Sequence, residues 1–499
     1  MKSENKVKNR ILEIIPGLLV WLTFILAVIF SFVKPIWVIG FIIAFDLFWL
    51  VRIIYFVVLV ASSYKSYQRA VKIDWLEKVK EIKKWQDYYH IVYLPTYGES
   101  LKVLRSTLDS LLKSNYPSEK MIVILGGEGR IKEDFLPKAQ VIEKEYQDKF
   151  FKLKITLHPD GLEGEMKGKG ANAHWMGQRS REMIDKLGFD YEKLIVSYFD
   201  SDTCVHPEYF SHLAYKYLTH PAPTKVSYQP AVNYNNNIWD APAAMRVTAF
   251  GTVFWLLMEL VRPERLVTFS SHSMSFKALV DVGYWQKDIV TDDSRIFFQC
   301  FFRYKGDYSV EPMYIPVSMD TVMDDNYWVG FKNLYKQQRR WAWGVEHFPY
   351  MMKKFKKVKD ISPGKKIKLL WHQMEGMYTW ATAPILLFVL GYLPLFVAGR
   401  SGDISKSVIV QNAPYVLQTL MTLAMVGMVF SAILSMFILP PRPKQHPKWK
   451  YLIMLFQWIL LPVTFIIFGA IPAVDAQTRL MLGKKYHLGF FVTPKARKK

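Results

Sequence analysis

The run KLIVSYFD (193–200) passes directly into Ser201 and Asp202, so two carboxylates, Asp200 and Asp202, stand one residue apart where a strand-like segment ends. That spacing suits a hard cation, because Mg²⁺ takes one or two protein carboxylates and fills its other positions with substrate phosphate and water. An acidic turn is the competing reading, since Asp is a common turn residue. Further on, Thr291-Asp292-Asp293 precedes the amphipathic stretch RIFFQCFFRYKG. Thr or Asp there would cap a helix; a carboxylate there would also serve as general base toward a hydroxyl. In KQQRRWAWG, residues i and i+3 share a helix face, which brings Gln337 and Arg340 together with Trp341 beside them. Arginine holds phosphate bidentately and indole covers the apolar face of a sugar ring. An aromatic helix packed beneath a membrane is the alternative.

Two glycine-rich stretches invite a phosphate-loop reading. In GEMKGKGAN (164–172) the glycine spacing is wrong for that loop and no Ser or Thr follows the lysine, but Lys167 and Lys169 remain suited to neutralising a diphosphate. GGEG at 126–129 is not a dinucleotide fingerprint.

These residues need elements to hold them. Short β-branched or aromatic runs at 90–95, 121–126, 151–157, 193–200 and 225–230 alternate with helical patterns such as 100–114 and 171–187. That alternation predicts βαβ units in a mostly parallel sheet, with chemistry at the carboxyl ends of its strands. Outside this region lie five long apolar runs, 11–33 and 36–60 before it and 378–398, 414–440 and 451–474 after it, each near the roughly 20 residues that cross a bilayer. The chain therefore reads as two N-terminal transmembrane helices (1–60), a water-soluble domain (61–350), a basic interfacial segment (351–377), three or four C-terminal membrane segments (378–474) and a basic tail (475–499).

The chain has 499 residues and a net charge of +22, with 51% hydrophobic residues. Cys204 and Cys300, its two cysteines, exclude a disulfide-stapled secreted scaffold. The excess charge flanks apolar runs: residues 353–368 carry eight lysines against one aspartate, whereas 85–350 hold 31 basic and 33 acidic side chains. A nucleic-acid binder is thereby disfavoured, and the lysine cluster reads as a segment lying on an anionic leaflet. Lys2, Lys6, Lys8 and Arg10 place the N-terminus, and hence the soluble domain, in the cytoplasm by the positive-inside rule. The basic tail would end outside if 451–474 crossed once; Pro462, Gly469 and Pro472 favour a kinked or re-entrant segment instead.

Taken in order, PTYGES (95–100), KGKGAN (167–172), Asp200-Ser201-Asp202, Thr291-Asp292-Asp293 and QQRRW (337–341) resemble the membrane-integrated family 2 glycosyltransferases, among them the cellulose, hyaluronan and poly-N-acetylglucosamine synthases. The tail sequence FFVTPK (490–495) resembles the gating loop of cellulose synthases. The resemblance implies an α/β GT-A (Rossmann-like) cytoplasmic domain joined to a polytopic α-helical transmembrane domain, and an inverting hexosyltransferase using a nucleotide-diphosphate sugar, usually UDP-linked, with Mg²⁺ or Mn²⁺. Carried over by motif, Thr96, Tyr97, Glu99 and Asp200 belong to the nucleotide-sugar pocket. Lys167 and Lys169 belong to the diphosphate, Asp202 with Asp200 to the metal, and Asp293 with Asp292 to the catalytic base. Gln337, Arg340 and Trp341 would lie between diphosphate and acceptor. The family's paired aspartates after its second strand are replaced here by Gly126-Gly127-Glu128, leaving Glu128 as the group nearest the base.

The expected partners are a nucleotide-sugar donor, a glycan or lipid acceptor, membrane lipids and an accessory subunit, with no nucleic acid. A processive polysaccharide synthase that threads its product through its own helices leads. A lipid glycosyltransferase adding one sugar is the second enzyme reading, and a non-catalytic nucleotide-sugar sensor or transporter is the reading from another class.

Overall fold

The computed structural model describes residues 2–493, with side chains from Asn9 onward; Pro494 and Lys495 of the FFVTPK motif lie outside the described residues. Its centre is one eight-stranded sheet in the order β3-β2-β1-β4-β7-β6-β8-β5. The strands are β1 (Tyr89–Pro95), β2 (Met121–Glu128), β3 (Lys152–His158), β4 (Leu194–Tyr198), β5 (Cys204–Val205), β6 (Val226–Asn233), β7 (Ser273–Ser275) and β8 (Ser309–Ser318). Strands β3, β2, β1 and β4 run parallel, β7 is antiparallel to both neighbours, and β6 pairs in parallel with β8.

Strand alternation divides the buried residues between two layers. Ile91, Tyr93, Ile122, Ile124, Val196 and Tyr198 face one core. Val92, Leu94, Val123, Leu125, Ile195 and Phe199 face the other. A parallel sheet covered on both faces needs such unbroken apolar strands, which is why these runs stand out in the sequence. The mixed half does not: β7 is Ser-Met-Ser, and β8 contains Pro312 and Pro316 with a register shift in its pairing.

The helices Leu101–Leu112, Lys169–Leu187 and Asp292–Arg303 flank the sheet. Ser100 starts the first by accepting a hydrogen bond from the Val103 amide. Among the described residues five helices are long and apolar enough to cross a membrane: Asn9–Val33, Pro35–Ala70, Ala243–Leu260, Val408–Ile438 and Lys450–Leu482; a pair bent by 45°, Pro363–Phe388 with Leu390–Gly399, makes up to six. Ala243–Leu260 was not among the apolar runs expected to span. It is mostly buried within the protein (61% of its most apolar window) and packs on the sheet, contributing Val247, Phe250, Phe254 and Leu257 to the core. The 36-residue helix Pro35–Ala70 enters the same core through Val60, Tyr64 and Tyr67. The segment Lys450–Leu482 is continuous but irregular, with a π-helical stretch at Phe465–Ala470 between Pro462 and Pro472.

Candidate active site

The carboxyl ends of β1, β2 and β4 open into a cleft of about 740 Å³. Its lining includes Thr96, Tyr97, Glu99, Glu128, Lys169, Asp200, Asp293, Gln337, Arg340 and Trp341, drawn from six separate stretches of sequence. Lys167, Asp202 and Asp292 lie off that lining.

At the end of β1, Thr96 donates through both its amide (2.7 Å) and its hydroxyl (3.1 Å) to the Gly126 carbonyl, and the Tyr97 amide donates to Glu99 (2.6 Å). The end of β2 is glycine because of its neighbours: a Cβ at Gly126 would come within 2.3 Å of the Met176 sulfur, and one at Gly127 within 2.2 Å of the Phe135 ring. Paired aspartates would not fit there. Glu128 is buried and bonded to Arg130 (2.7 Å), whose guanidinium lies 4.1 Å from the Tyr97 ring centre.

Lys169 is the electrostatic centre of the cleft. Its ammonium sits 2.6 Å from Asp200 Oδ1 and 2.9 Å from Asp293 Oδ1, with the Tyr198 ring 4.2 Å away. Burial alone would lower its pKa, but the carboxylates of Asp200, Asp293 and Asp292 outweigh burial and hold it above the ordinary lysine value. Asp200 also accepts from Ser270 (2.9 Å). Asp292, next to Asp293, is turned inward and accepts from the Tyr198 hydroxyl (2.6 Å). Its burial, and then the charge of Asp293, push its carboxyl well above the usual range.

Asp202 is fully buried, and its carboxylate accepts from the Asp320 amide (2.8 Å). The chain turns after β4, with the Thr203 amide on the Asp200 carbonyl (2.9 Å), and Asp200 lines the cleft while Asp202 lies buried off its lining. Lys167 is exposed and pairs with Asp160 (2.9 Å) beside a separate pocket lined by Glu128, Arg130, His158 and Glu165.

The helix Tyr327–Ala342 closes the opposite wall. Asn326 caps it through the Trp328 and Val329 amides. Gln337 is buried, Trp341 lies 5.8 Å from the Tyr234 ring, and Arg340 Nε has no hydrogen-bond partner among the described residues. Phe490 through Thr493 also line the cleft, with Phe490 under Arg340 (4.9 Å) and Phe491 under Lys336 (4.6 Å). Tyr234, Ser270 and Met319 also line it. They are single residues on loops joined only by the fold, and nothing in their sequence context marks them. Thr291 occupies the N-cap of Asp292–Arg303, but its hydroxyl goes to Glu346. Glu346 also accepts from Trp343 Nε1 (3.0 Å), and its neighbour His347 bonds Ser294 (2.7 Å) and Arg295 (3.1 Å). Proximity of Glu346 to QQRRW in the sequence was the available signal for this joint.

The Lys169 ammonium shows that Asp200 and Asp293 together hold positive charge in the cleft. Among the described residues no group of three or more His, Cys, Asp or Glu side chains is arranged to hold a metal. Asp200 is the carboxylate available to one, with donor phosphate oxygens filling other positions.

An open mixed-sheet domain with acidic, lysine and arginine groups converging at its strand ends, set among apolar helices, defines the class. The chain belongs to glycosyl transferase family group 2, whose sequence model matches residues 195–471, and the soluble domain has the GT-A fold. Similar solved structures include a mannosyltransferase of Pyrobaculum calidifontis in complex with GDP-Man and Mn²⁺ (14% identity, 77% of this chain and 99% of that one, TM-score 0.41). TarS 1–349 of S. aureus in complex with UDP-GlcNAc is another (12% identity, 70% and 91%, TM-score 0.39). No curated protein matches the chain.

Proposed function

We propose that the protein transfers a hexose from a nucleotide-diphosphate sugar, a UDP-sugar by family habit, to a growing glycan at the membrane, with inversion at the anomeric carbon. The observation that carries this reading is the meeting of Lys169, Asp200, Asp293 and Arg340 in one cleft. The donor diphosphate draws the Lys169 ammonium away from Asp293, leaving that carboxylate unpaired and facing the acceptor. An Asp293 oxygen then takes the proton of the acceptor hydroxyl, whose oxygen attacks the anomeric carbon as the bond to the diphosphate breaks. Lys169 and Arg340 hold the charge that develops on the leaving group. Asp200 would hold Mg²⁺ or Mn²⁺ at the cleft, with buried Asp202, the motif's second carboxylate, bracing the turn behind it through the Asp320 amide (2.8 Å), and the ion would supply positive charge to the leaving diphosphate. Thr96, Tyr97, Glu99 and Glu128 take the nucleoside end, and Gln337 and Trp341 orient the acceptor.

On this reading residues 61–350 are the cytoplasmic catalytic domain of a cell-membrane protein. The lysines of 351–377 rest on anionic lipid, and Phe490–Thr493 of the tail cover the cleft. Purified protein in lipid, incubated with a panel of nucleotide sugars and Mg²⁺ or Mn²⁺, tests the proposal by product size. A ladder of elongated glycan is expected and should disappear in Asp293→Asn. A product carrying one sugar on lipid would replace the polymerising reading with single addition, and full turnover in Asp293→Asn would remove the assigned base.

A further inference from the structure

The helix Tyr327–Ala342 advances about 100° per residue, so Tyr335 and Arg339 lie on the face opposite Gln337, Arg340 and Trp341. That outer face is fastened to a single carboxylate. Asp475 Oδ2 accepts from Arg339 Nη1 (2.8 Å) and from the Tyr335 hydroxyl (3.0 Å), while its Oδ1 accepts from Arg479 Nε (2.6 Å). Asp475 belongs to Ile471–Leu482, the last stretch of the apolar segment Lys450–Leu482. This stretch is itself tied to the other apolar helices. Arg10 donates to the Leu480 carbonyl (2.9 Å), Trp21 to Thr478 (2.9 Å), and Gln477 to the Met377 carbonyl (2.9 Å). Beyond Leu482 the chain returns to the cleft as Phe490–Thr493.

We infer that Asp475 is a positioning residue for the acceptor side of the site, transmitting the placement of the membrane helices to Arg340 and Trp341 through Arg339. The inference rests on the glycosyl-transfer reading for its kinetic consequence, but its structural consequence is independent of the reaction. A carboxylate that takes two donors across an interface and a third from its own helix fixes geometry more than it adds stability, and small misplacements of an acceptor-holding wall are costly in rate.

Full-length Asp475→Asn, Asp475→Glu and Arg339→Gln, each in lipid, test it. Asp475→Asn and Arg339→Gln are expected to raise the acceptor KM about tenfold while leaving the donor KM within about twofold, with Asp475→Glu restoring most of the difference. In parallel, hydrogen exchange across 327–342 should accelerate about tenfold in Asp475→Asn, with β1, β2 and β4 unchanged. Unchanged exchange in 327–342 overturns the inference whatever the reaction proves to be. Equal loss on donor and acceptor sides, or accelerated exchange throughout the sheet, reduces Asp475 to general structural support and also overturns it. If the wild type turned over no nucleotide sugar, the glycosyl-transfer reading would fall while the exchange result still decided the role of Asp475.

Discussion

Thr291 gives its hydroxyl to Glu346, across two helices, although it stands at the N-cap of the helix that carries Asp293. The first turn of Asp292–Arg303 is thereby held from the side by the segment that follows Gln337, Arg340 and Trp341. With His347 on Ser294 and Arg295, this joint sets Asp293 relative to the wall that carries Gln337, Arg340 and Trp341. Glu346→Gln keeps the volume but removes the charge facing buried Arg295. It is expected to lower kcat about 10- to 100-fold with little change in donor KM, read from steady-state rates.

Lys169→Gln leaves Asp200 and Asp293 facing one another without the cation between them. Donor kcat/KM should fall by about 100-fold, the scale of losing a group that stabilises developing charge. Initial rates against donor concentration measure it.

Asp292 makes the pH dependence asymmetric. Its folded-state pKa is raised, so the ionised carboxylate is the costly form: the cost is fully present above the folded value and absent below the unfolded value of about 3.9. Asp292→Asn keeps an oxygen for Tyr198 and removes that cost. Its thermal midpoint should exceed the wild type's at pH 8 by a few degrees, the scale of about 1 kcal/mol, and the two should converge as the pH falls toward 4. A gain independent of pH would contradict the assignment.

Gly168 has φ +151°, and a Cβ there would lie 2.4 Å from the Phe490 ring. Gly168→Ala should displace the tail from the cleft and expose it to limited proteolysis. Phe490→Ala in the same chain should relieve the clash and recover part of the lost activity.

Removing the metal gives a further check. Chelation should abolish transfer, and Asp200→Asn should raise the Mn²⁺ concentration needed for half-maximal rate by about tenfold, without changing the helical signal in circular dichroism.

The parallel half of the sheet was legible because strands buried on both faces become short apolar runs, as in HIVYLP and MIVILG. The mixed half was not, since β7 has almost no apolar signal and the prolines of β8 argue against a strand until its bulge is seen. Ala243–Leu260 carries enough polar residues, Arg246 and Glu259 among them, to escape notice as an apolar run. Ordered motifs identified the residues of the cleft wall but not their directions. Alternation would aim Asp200 and Asp202 alike on a strand, yet β4 ends at Tyr198, and after the turn Asp200 lines the cleft while Asp202 is buried off it. Tyr234, Ser270 and Met319 meet the site only through loops that the topology brings together.

The length of Pro35–Ala70 has a mechanical meaning. Thirty-six residues of helix extend about 54 Å, against a hydrocarbon core of about 30 Å. The excess is rooted in the sheet's core through Val60, Tyr64 and Tyr67, so the sheet domain is joined to the apolar part of this helix by continuous helix and not by a flexible tether.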